Sequence, residues 1–368
     1  MTELSQLQTD KSALDHTRIV RAPLPELQPG EALFRIHRLA VTTNNITYAA
    51  FGDTPHLRYW SFYPTGEDGW GHMPAWGFAE LVHSTVEGLE PGERFYGFWP
   101  IASHLVMQPV RISQRGFYDG TPHRLELVSA YNQYQRTSTD DAYRAEDENY
   151  QMLLRPLFIT SFMLADFLED NDYFGARQIV FSSASSKTAY GTAFCLQESP
   201  AIKLVGLTSP ANRDFVQSLG CYAQTVEYDA VESLDPSVPT LYVDFSGNNP
   251  LRQRIHEHFR NTLVHDCYAG SAHSHDHVST VEQTLPGPAP ESYFAPDQIR
   301  KRNADWGPAE VTRRFNEAQL AFIRRVQEDE TPWLQVREHA GLEATRELIK
   351  TLCAGNINPR DGHVVRLD

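Results

Sequence analysis

The chain has 368 residues, with 32 Lys and Arg against 47 Asp and Glu, a formal charge of −15. That length predicts two domains, and a hydrophobic share of 41% with 11% aromatics argues against global disorder. The acidic balance argues against a nucleic-acid partner, and no stretch approaches the roughly 18 apolar residues of a membrane span.

The first eleven residues lack the basic region and apolar core of a signal peptide, so a soluble, cytoplasmic protein without a membrane partner is expected. Residues 17–115 read as β-rich: segments 31–37, 78–83 and 94–98 are short, partly alternating and bounded by Pro or Gly. Gln28-Pro29-Gly30 and Pro91-Gly92 punctuate them as turns, which suggests a small barrel or sandwich. Residues 120–150 combine tyrosines, Tyr131 and Tyr134 among them, with an acidic run, and read as a cap over a cleft or as a linker.

From about 151 the pattern alternates. Helical stretches at 157–167, 188–197, 212–219 and 251–259 interleave with strands at 178–181, 202–207, 240–244 and 262–265, which predicts βαβ units and a parallel sheet. A long helix over 311–328, a short segment at 333–337, a helix over 342–352 and a strand at 363–367 close the chain. The last strand is expected to rejoin the β-rich domain. The fold class is therefore α/β, with a first domain over 1–150 completed by 311–368 and a second over 151–310.

The four cysteines, Cys195, Cys221, Cys267 and Cys353, lie at least 26 positions apart, which excludes CxxC zinc and redox motifs. The junction that carries chemistry follows the strand at 178–181, where a dinucleotide-binding fold puts its pyrophosphate loop. Ser185, Ser186 and Thr188 fall where glycines are expected, with Lys187 among them. Small hydroxyls keep the volume low and donate to phosphate oxygens, and Lys187 supplies charge. The same residues also read as a Ser-rich N-cap of a buried helix.

At the next strand end, Thr208 and Ser209 lead to Arg213, with no carboxylate placed for a ribose 2′-hydroxyl. An Arg there suits a 2′-phosphate, so NADPH is favoured over NADH; a solvent-facing Arg after a capped helix start is the alternative. Ser246 and Gly247 follow the strand ending at Asp244, at the expected edge of a nucleotide crevice. His273, His275 and His277 alternate in a way that can hold a transition metal, but no second cluster completes a site, so a polar loop is expected and no metal is assigned.

Three stretches of the first domain resemble the medium-chain dehydrogenase/reductases. They are residues 30–36, the segment Thr43-Asn44-Asn45-Ile-Thr-Tyr48 to Gly52, and residues 91–97. The βαβ block from Arg177 and the ending at 341–348 and 362–367 extend the resemblance to nearly the whole chain, and residues 76–80, 102–105 and 155–161 resemble an uncharacterised bacterial branch. The resemblance implies a GroES-like domain, a Rossmann domain, a cofactor cleft between them and a homodimer. It also implies that Tyr48 lies near the nicotinamide as a proton donor, with Asn44 and Asn45 orienting substrate or ribose, or else capping turns. Thr160 or Ser161 would approach the carboxamide, and Tyr268, Ala269 and Gly270 would cover the nicotinamide.

The zinc-dependent members carry an early catalytic Cys and a Gly-His-Glu motif. Here no Cys precedes Cys195, and Gly71-His72 is followed by Met73. The resemblance is therefore to the zinc-independent branch of quinone oxidoreductases and enoyl reductases. Without a Lewis acid, hydride delivery to an activated C=C is more natural than alcohol–ketone chemistry. An NADPH-dependent reductase of an enone or enoyl small molecule is the expectation. A carbonyl reductase, a non-catalytic NADPH-binding protein and a His-loop metalloprotein are the rivals.

Overall fold

The computed structural model describes residues 3–55, 58–269, 285–328, 330–355 and 357–367. They fall into two compact units, one of residues 1–153 with 334–368, the other of residues 154–333.

The first unit is built on two sheets. β1 (Glu3–Asp10) and β2 (Ala13–Pro23) form an antiparallel hairpin that the sequence pattern did not announce. Asp10 Oδ1 accepts from the Ser12 amide and hydroxyl across its tip, at 2.9 and 2.7 Å, and these bonds hold the Asp10 carboxyl at about 2. β3 (Ala32–Ala40) pairs antiparallel with β5 (Pro74–Ser84), β5 with β6 (Arg94–Pro100), and β6 with β10 (Gln133–Arg136). On the other side of β3 lies β18 (Asp361–Arg366), which brings the end of the chain back into this unit, with β17 (Gln335–Ala340) outermost.

Large aromatics fill the core of this unit: Phe34 and Phe95 meet edge to face, and Phe117 stacks on Tyr134 at 5.0 Å. A Cβ at Gly97 would fall 2.3 Å from the Tyr134 ring, so β6 needs a glycine where the ring crosses it. Residues 120–150 therefore belong to this unit through β10 and are not a linker. Buried Arg124 binds the segment inward, donating to Asn132 Oδ1 (3.1 Å), the Tyr131 carbonyl (3.0 Å) and Tyr134 Oη (3.1 Å).

α2 (Glu148–Asp170) carries the chain into the second unit, which begins two residues before Pro156 inside this helix. Among the described residues, the stretch Ala145–Asp170 is the one helical span long and apolar enough to cross a membrane, and 56% of its most apolar window is buried within the fold, as in a core helix. The second unit's sheet runs β13 (Gln224–Glu227), β12 (Lys203–Thr208), β11 (Gln178–Phe181), β14 (Thr240–Asp244), β15 (Leu263–Tyr268), β16 (Pro290–Ser292), parallel throughout. In chain order this is 3-2-1-4-5-6, the doubly wound arrangement. β11 and β14 are buried along their whole length, as central strands of a parallel sheet are.

One expected boundary moves. Residues 311–333, expected with the first domain, lie in the second unit. The reason is the apolar stripe of the helix Pro308–Val326: Phe322 stacks on Phe158 at 4.4 Å and meets Phe194, Tyr190 and Trp333. The chain returns to the first unit only at Leu334.

Candidate functional site

In a doubly wound sheet the strand order reverses between β11 and β14, and ligands bind beyond the carboxyl ends of the strands there. At that point stands Asp244, fully buried. Its Oδ1 accepts from Ser182 Oγ (2.7 Å), Tyr242 Oη (3.2 Å), the Ser246 hydroxyl (2.7 Å) and the amides of Ser246 and Gly247 (2.8 and 3.2 Å). Ser182 Oγ in turn accepts from the amides of Phe245 and Ser246, and the Asp244 carbonyl accepts from the Ala269 amide at 2.9 Å. The ends of β11 and β14 are thus fixed on the Asp244 carboxylate, and the end of β15 on its backbone carbonyl. Burial and the Asp244 charge push the Tyr242 hydroxyl well up, so it stays a donor.

Behind this edge the Asp244 carboxylate is paired internally. Asp244 Oδ2 accepts from Arg252 Nη2 (2.8 Å), Arg252 Nε donates to Asp266 Oδ2 (2.9 Å), and His256 Nε2 lies 2.8 Å from the same oxygen. His256 Nδ1 faces the Pro286 carbonyl at 2.8 Å. These four side chains are all but inaccessible to solvent, so each charge depends on its partners.

The loop after β11 turns sharply into α3 (Lys187–Leu196). Ser183 takes the left-handed region, φ 47°, where a glycine is the easy choice. Its amide donates to Tyr228 Oη at 3.1 Å. Ser186 is the N-cap, its hydroxyl oxygen accepting from the Ala189 amide at 3.3 Å. Ser185 Oγ accepts from Asn212 Nδ2 at 3.3 Å, and Lys187 and Thr188 occupy the first turn, where helical amides have no acceptor within the helix. One role of the missing glycines survives at Gly191: a Cβ there would lie 2.7 Å from Ser161 Oγ, so α3 packs tightly on α2. Ser161 is consequently structural in its contacts, donating to the Thr188 carbonyl at 2.8 Å, while neighbouring Thr160 is half-buried.

At the end of β12, Thr208 Oγ1 is buried without a hydrogen-bond partner, and Ser209 precedes a short 3₁₀ turn over Pro210–Asn212. Arg213, half exposed, donates to Glu227 Oε1 at 3.0 Å; the carboxylate absent from β12 is supplied by the neighbouring strand and offsets the guanidinium. Tyr268 closes β15, with the Arg252 guanidinium 4.9 Å from its ring centre. Gly270 and the histidines 273, 275 and 277 lie outside the described residues. Among the described residues, no group of three His, Cys, Asp or Glu is placed to hold a metal.

The loop and its flanks fit a dinucleotide diphosphate. They combine a strand, a left-handed residue and a helix N-terminus with hydroxyls at Ser185, Ser186 and Thr188 and the cation of Lys187. The orphaned Thr208 hydroxyl is suited to the adenosine end.

In the first unit, Tyr48 lies on α1 (Thr43–Ala50), half-buried, and its ring meets that of Tyr59 edge to face at 5.8 Å. Burial raises the Tyr48 hydroxyl, which stays protonated near neutrality. Asn45 is committed to the backbone: Nδ2 donates to the Pro74 carbonyl (2.8 Å) and Oδ1 accepts from the Thr42 amide (2.8 Å), a capping box that starts α1. Of the aromatics, Trp60, Phe62, Tyr63 and Trp99 are core, while Trp76 is half-buried and stacks on Tyr96 at 5.3 Å.

Residues 39–358 match the family described as "Protein of unknown function (DUF2855)". The chain belongs to that family. No curated protein matches it. Among solved structures it is similar to CurA in complex with NADPH from Vibrio vulnificus, at 11% identity over 99% of each chain with a TM-score of 0.61. It is also similar to the quinone oxidoreductase from Coxiella burnetii, at 11% identity over 100% of each chain with a TM-score of 0.54. A third is the yhdH oxidoreductase from Salmonella enterica in complex with NADP, at 11% identity over 99% of this chain and 100% of that one, TM-score 0.53. At such identities the likeness is one of fold: a GroES-like unit and a Rossmann unit, as the sequence predicts.

Sequence reasoning passed over Ser182, Asp244, Arg252, His256, Asp266 and Tyr228, which organise the switch point. The signal available was a carboxylate as the last residue of an otherwise apolar strand, Leu241 to Asp244. Arg252 and Asp266 carry no local signature, because their pairing joins a helix to the next strand.

Proposed function

We propose that the protein is an NADPH-dependent reductase that transfers hydride to an activated C=C bond, of an enone or enoyl type, without zinc. The observation that carries this reading is the Ser182–Asp244 pair at the switch point, beside a loop whose helix start, hydroxyls and lysine fit a diphosphate. The NADPH and NADP in the CurA and yhdH structures support the choice of cofactor. The absence of any Cys before Cys195 supports the zinc-free branch.

When bound, reduced nicotinamide supplies the hydride. Ser185, Ser186, Lys187 and Thr188 would hold the diphosphate, and Thr208, Ser209 and Arg213 the adenosine end. Ser246, Gly247, Tyr268 and Ala269 would line the nicotinamide side, with Thr160 reaching its carboxamide. Tyr48 supplies the proton that completes reduction at carbon, and Asn45 holds the helix that presents it. A small-molecule substrate, a cytoplasmic setting and a homodimer accompany this reading.

The test is a fluorescence titration with NADPH and NADH. Saturable NADPH binding, tighter than NADH and weakened at least tenfold by Lys187→Ala, is expected. Failure to bind either nucleotide would sink the reading. A second reading, binding without turnover, draws on the prior engagement of the Ser183 amide by Tyr228 and of Arg213 by Glu227. Tight NADPH binding with no oxidation on any enone, unchanged by Tyr48→Phe, would favour it.

A further inference from the structure

Residues 76–80 carry part of the resemblance to the bacterial branch but take no share in nucleotide binding. Trp76, the first of them, differs from the other five tryptophans of the chain. Four of those have a cation at the ring: Lys11 lies 5.9 Å from the ring centre of Trp60, Arg18 3.9 Å from that of Trp70 and Arg325 4.4 Å from that of Trp333. Trp306 meets both Arg302 (4.4 Å) and Arg314 (4.1 Å). The fifth, Trp99, is fully buried, and its indole donates to the Gly77 carbonyl at 3.1 Å. Trp76 is only half-buried, although β5 has a neighbour on each side. Among the described residues no cation lies over its ring and no acceptor meets its indole N–H.

Its ring contacts are aromatic. It stacks on Tyr96 at 5.3 Å and tilts against Phe98 at 5.2 Å and Tyr131 at 5.7 Å. Side chains alternate along a strand, so Trp76 shares a face of β5 with Phe78, whose ring also packs on Tyr96, at 5.3 Å. Phe62 and Phe98 are buried and meet edge to face at 5.6 Å. Tyr131, half-buried, packs on both of them, at 5.6 and 5.0 Å, and Arg124 fixes its carbonyl at 3.0 Å. Trp76 and Tyr131, their planes inclined by 37°, are thus two half-exposed rings on a floor of Phe62 and Phe98. Leu125 and Val128, both exposed, precede Tyr131 in the chain and extend the apolar surface. All of these residues belong to the first unit.

We propose that this aromatic patch recognises the planar, conjugated part of the substrate, and that Trp76 is the specificity-determining residue. The proposal rests on the reductase reading and names the acceptor class: a neutral carbonyl conjugated through its C=C bond to an aryl ring. Aromatic rings attract one another offset or edge to face at about 4.5–7 Å between centres. The spacings within the patch fall in that range, so an aryl ring laid on Trp76 continues the array. A saturated ring of the same size has no π face to offer. The indole N–H is a donor without a protein acceptor, and a carbonyl oxygen supplies one.

The test uses the full chain without nucleotide, titrated with 4-phenylbut-3-en-2-one and with its cyclohexyl counterpart. In wild type the aryl compound is expected to bind about 3- to 12-fold more tightly, the value of one ring–ring contact. In Trp76→Leu that ratio should fall to about one, and in Trp76→Phe it should stay above one. Each ratio is taken within one protein, so a general loss of stability in a variant does not imitate the effect. A second arm keeps the native fold: the chain labelled with 5-fluorotryptophan is followed by fluorine NMR, the Trp76 resonance being the one missing from Trp76→Phe. The aryl enone should move this resonance and leave that of buried Trp99 in place. A ratio unchanged by Trp76→Leu, an unmoved Trp76 resonance, or no saturable binding of either compound would overturn the proposal. Binding at Trp76 without NADPH oxidation would sink the reductase reading and leave the recognition surface standing.

Discussion

Replacing Asp244 by Asn changes one atom type at the centre of the second unit. The Oδ1 acceptor for Ser182, Tyr242 and Ser246 survives, but the new amide nitrogen faces Arg252 Nη2, 2.8 Å from the present Oδ2, so a donor meets a donor. Arg252 is then left with Asp266 alone, in a site only 2% exposed. Removing one partner from a buried pair costs about 3–5 kcal/mol. For a unit of this size, about 2–4 °C of melting temperature per kcal/mol gives a loss of roughly 6–20 °C. Scanning calorimetry on Asp244→Asn measures it. Arg254→Ala serves as the control, because Arg254 pairs with Glu232 on the exposed face of the same helix and its loss is worth about 1 kcal/mol or less. If Asp244→Asn melts within about 2 °C of wild type, the buried network does not organise the strand ends as argued.

Other expectations follow from single contacts. Gly191→Ala sets a methyl 2.7 Å from Ser161 Oγ, and strain of about 1–3 kcal/mol outweighs the helix-propensity gain of about 1 kcal/mol; adding Ser161→Ala should restore most of the loss in urea unfolding, and an unimpaired Gly191→Ala would contradict the tight packing. Glu227→Gln frees the Arg213 guanidinium and should tighten NADPH relative to NADH by roughly 2- to 5-fold, about 0.5–1 kcal/mol, in the fluorescence titration; an unchanged ratio would remove Arg213 from the 2′-phosphate site. Burial lowers His72 and His265 below their ordinary 6.5, so on acidification the unfolded chain takes up protons that the folded chain refuses. Stability should therefore fall as pH drops below about 6.5, and His265→Phe, which keeps the stack on Phe174, should flatten the slope of urea midpoint against pH; an equal slope would refute it.

Much of the second unit was legible because its signals are local. The strand at 178–181 coincides with β11, and a run of apolar residues ending at Asp244 is enough to place β14. The loop residues Ser185 to Thr188 were found through their position between a strand and a helix. The hairpin of β1 and β2 escaped because its strands are half-exposed and carry charges such as Arg18 and Arg21, so period-two alternation is weak. Helix α1, around Tyr48, begins with β-branched and Asn residues and owes its start to the Asn45 cap rather than to helix propensity. Tyr131 was visible as a tyrosine in an acidic segment, but its anchoring by Arg124 is set by tertiary packing. The same holds for Arg213: its charge was plain in the sequence, and the Glu227 that offsets it was not.

The most direct test of the proposed function is the fate of deuterium from NADPH labelled at the transferring position of nicotinamide C4, incubated with the protein and an aryl enone. The proposed function predicts a saturated ketone carrying deuterium at the β-carbon. No NADPH oxidation, or an allylic alcohol carrying deuterium at the former carbonyl carbon, would contradict it.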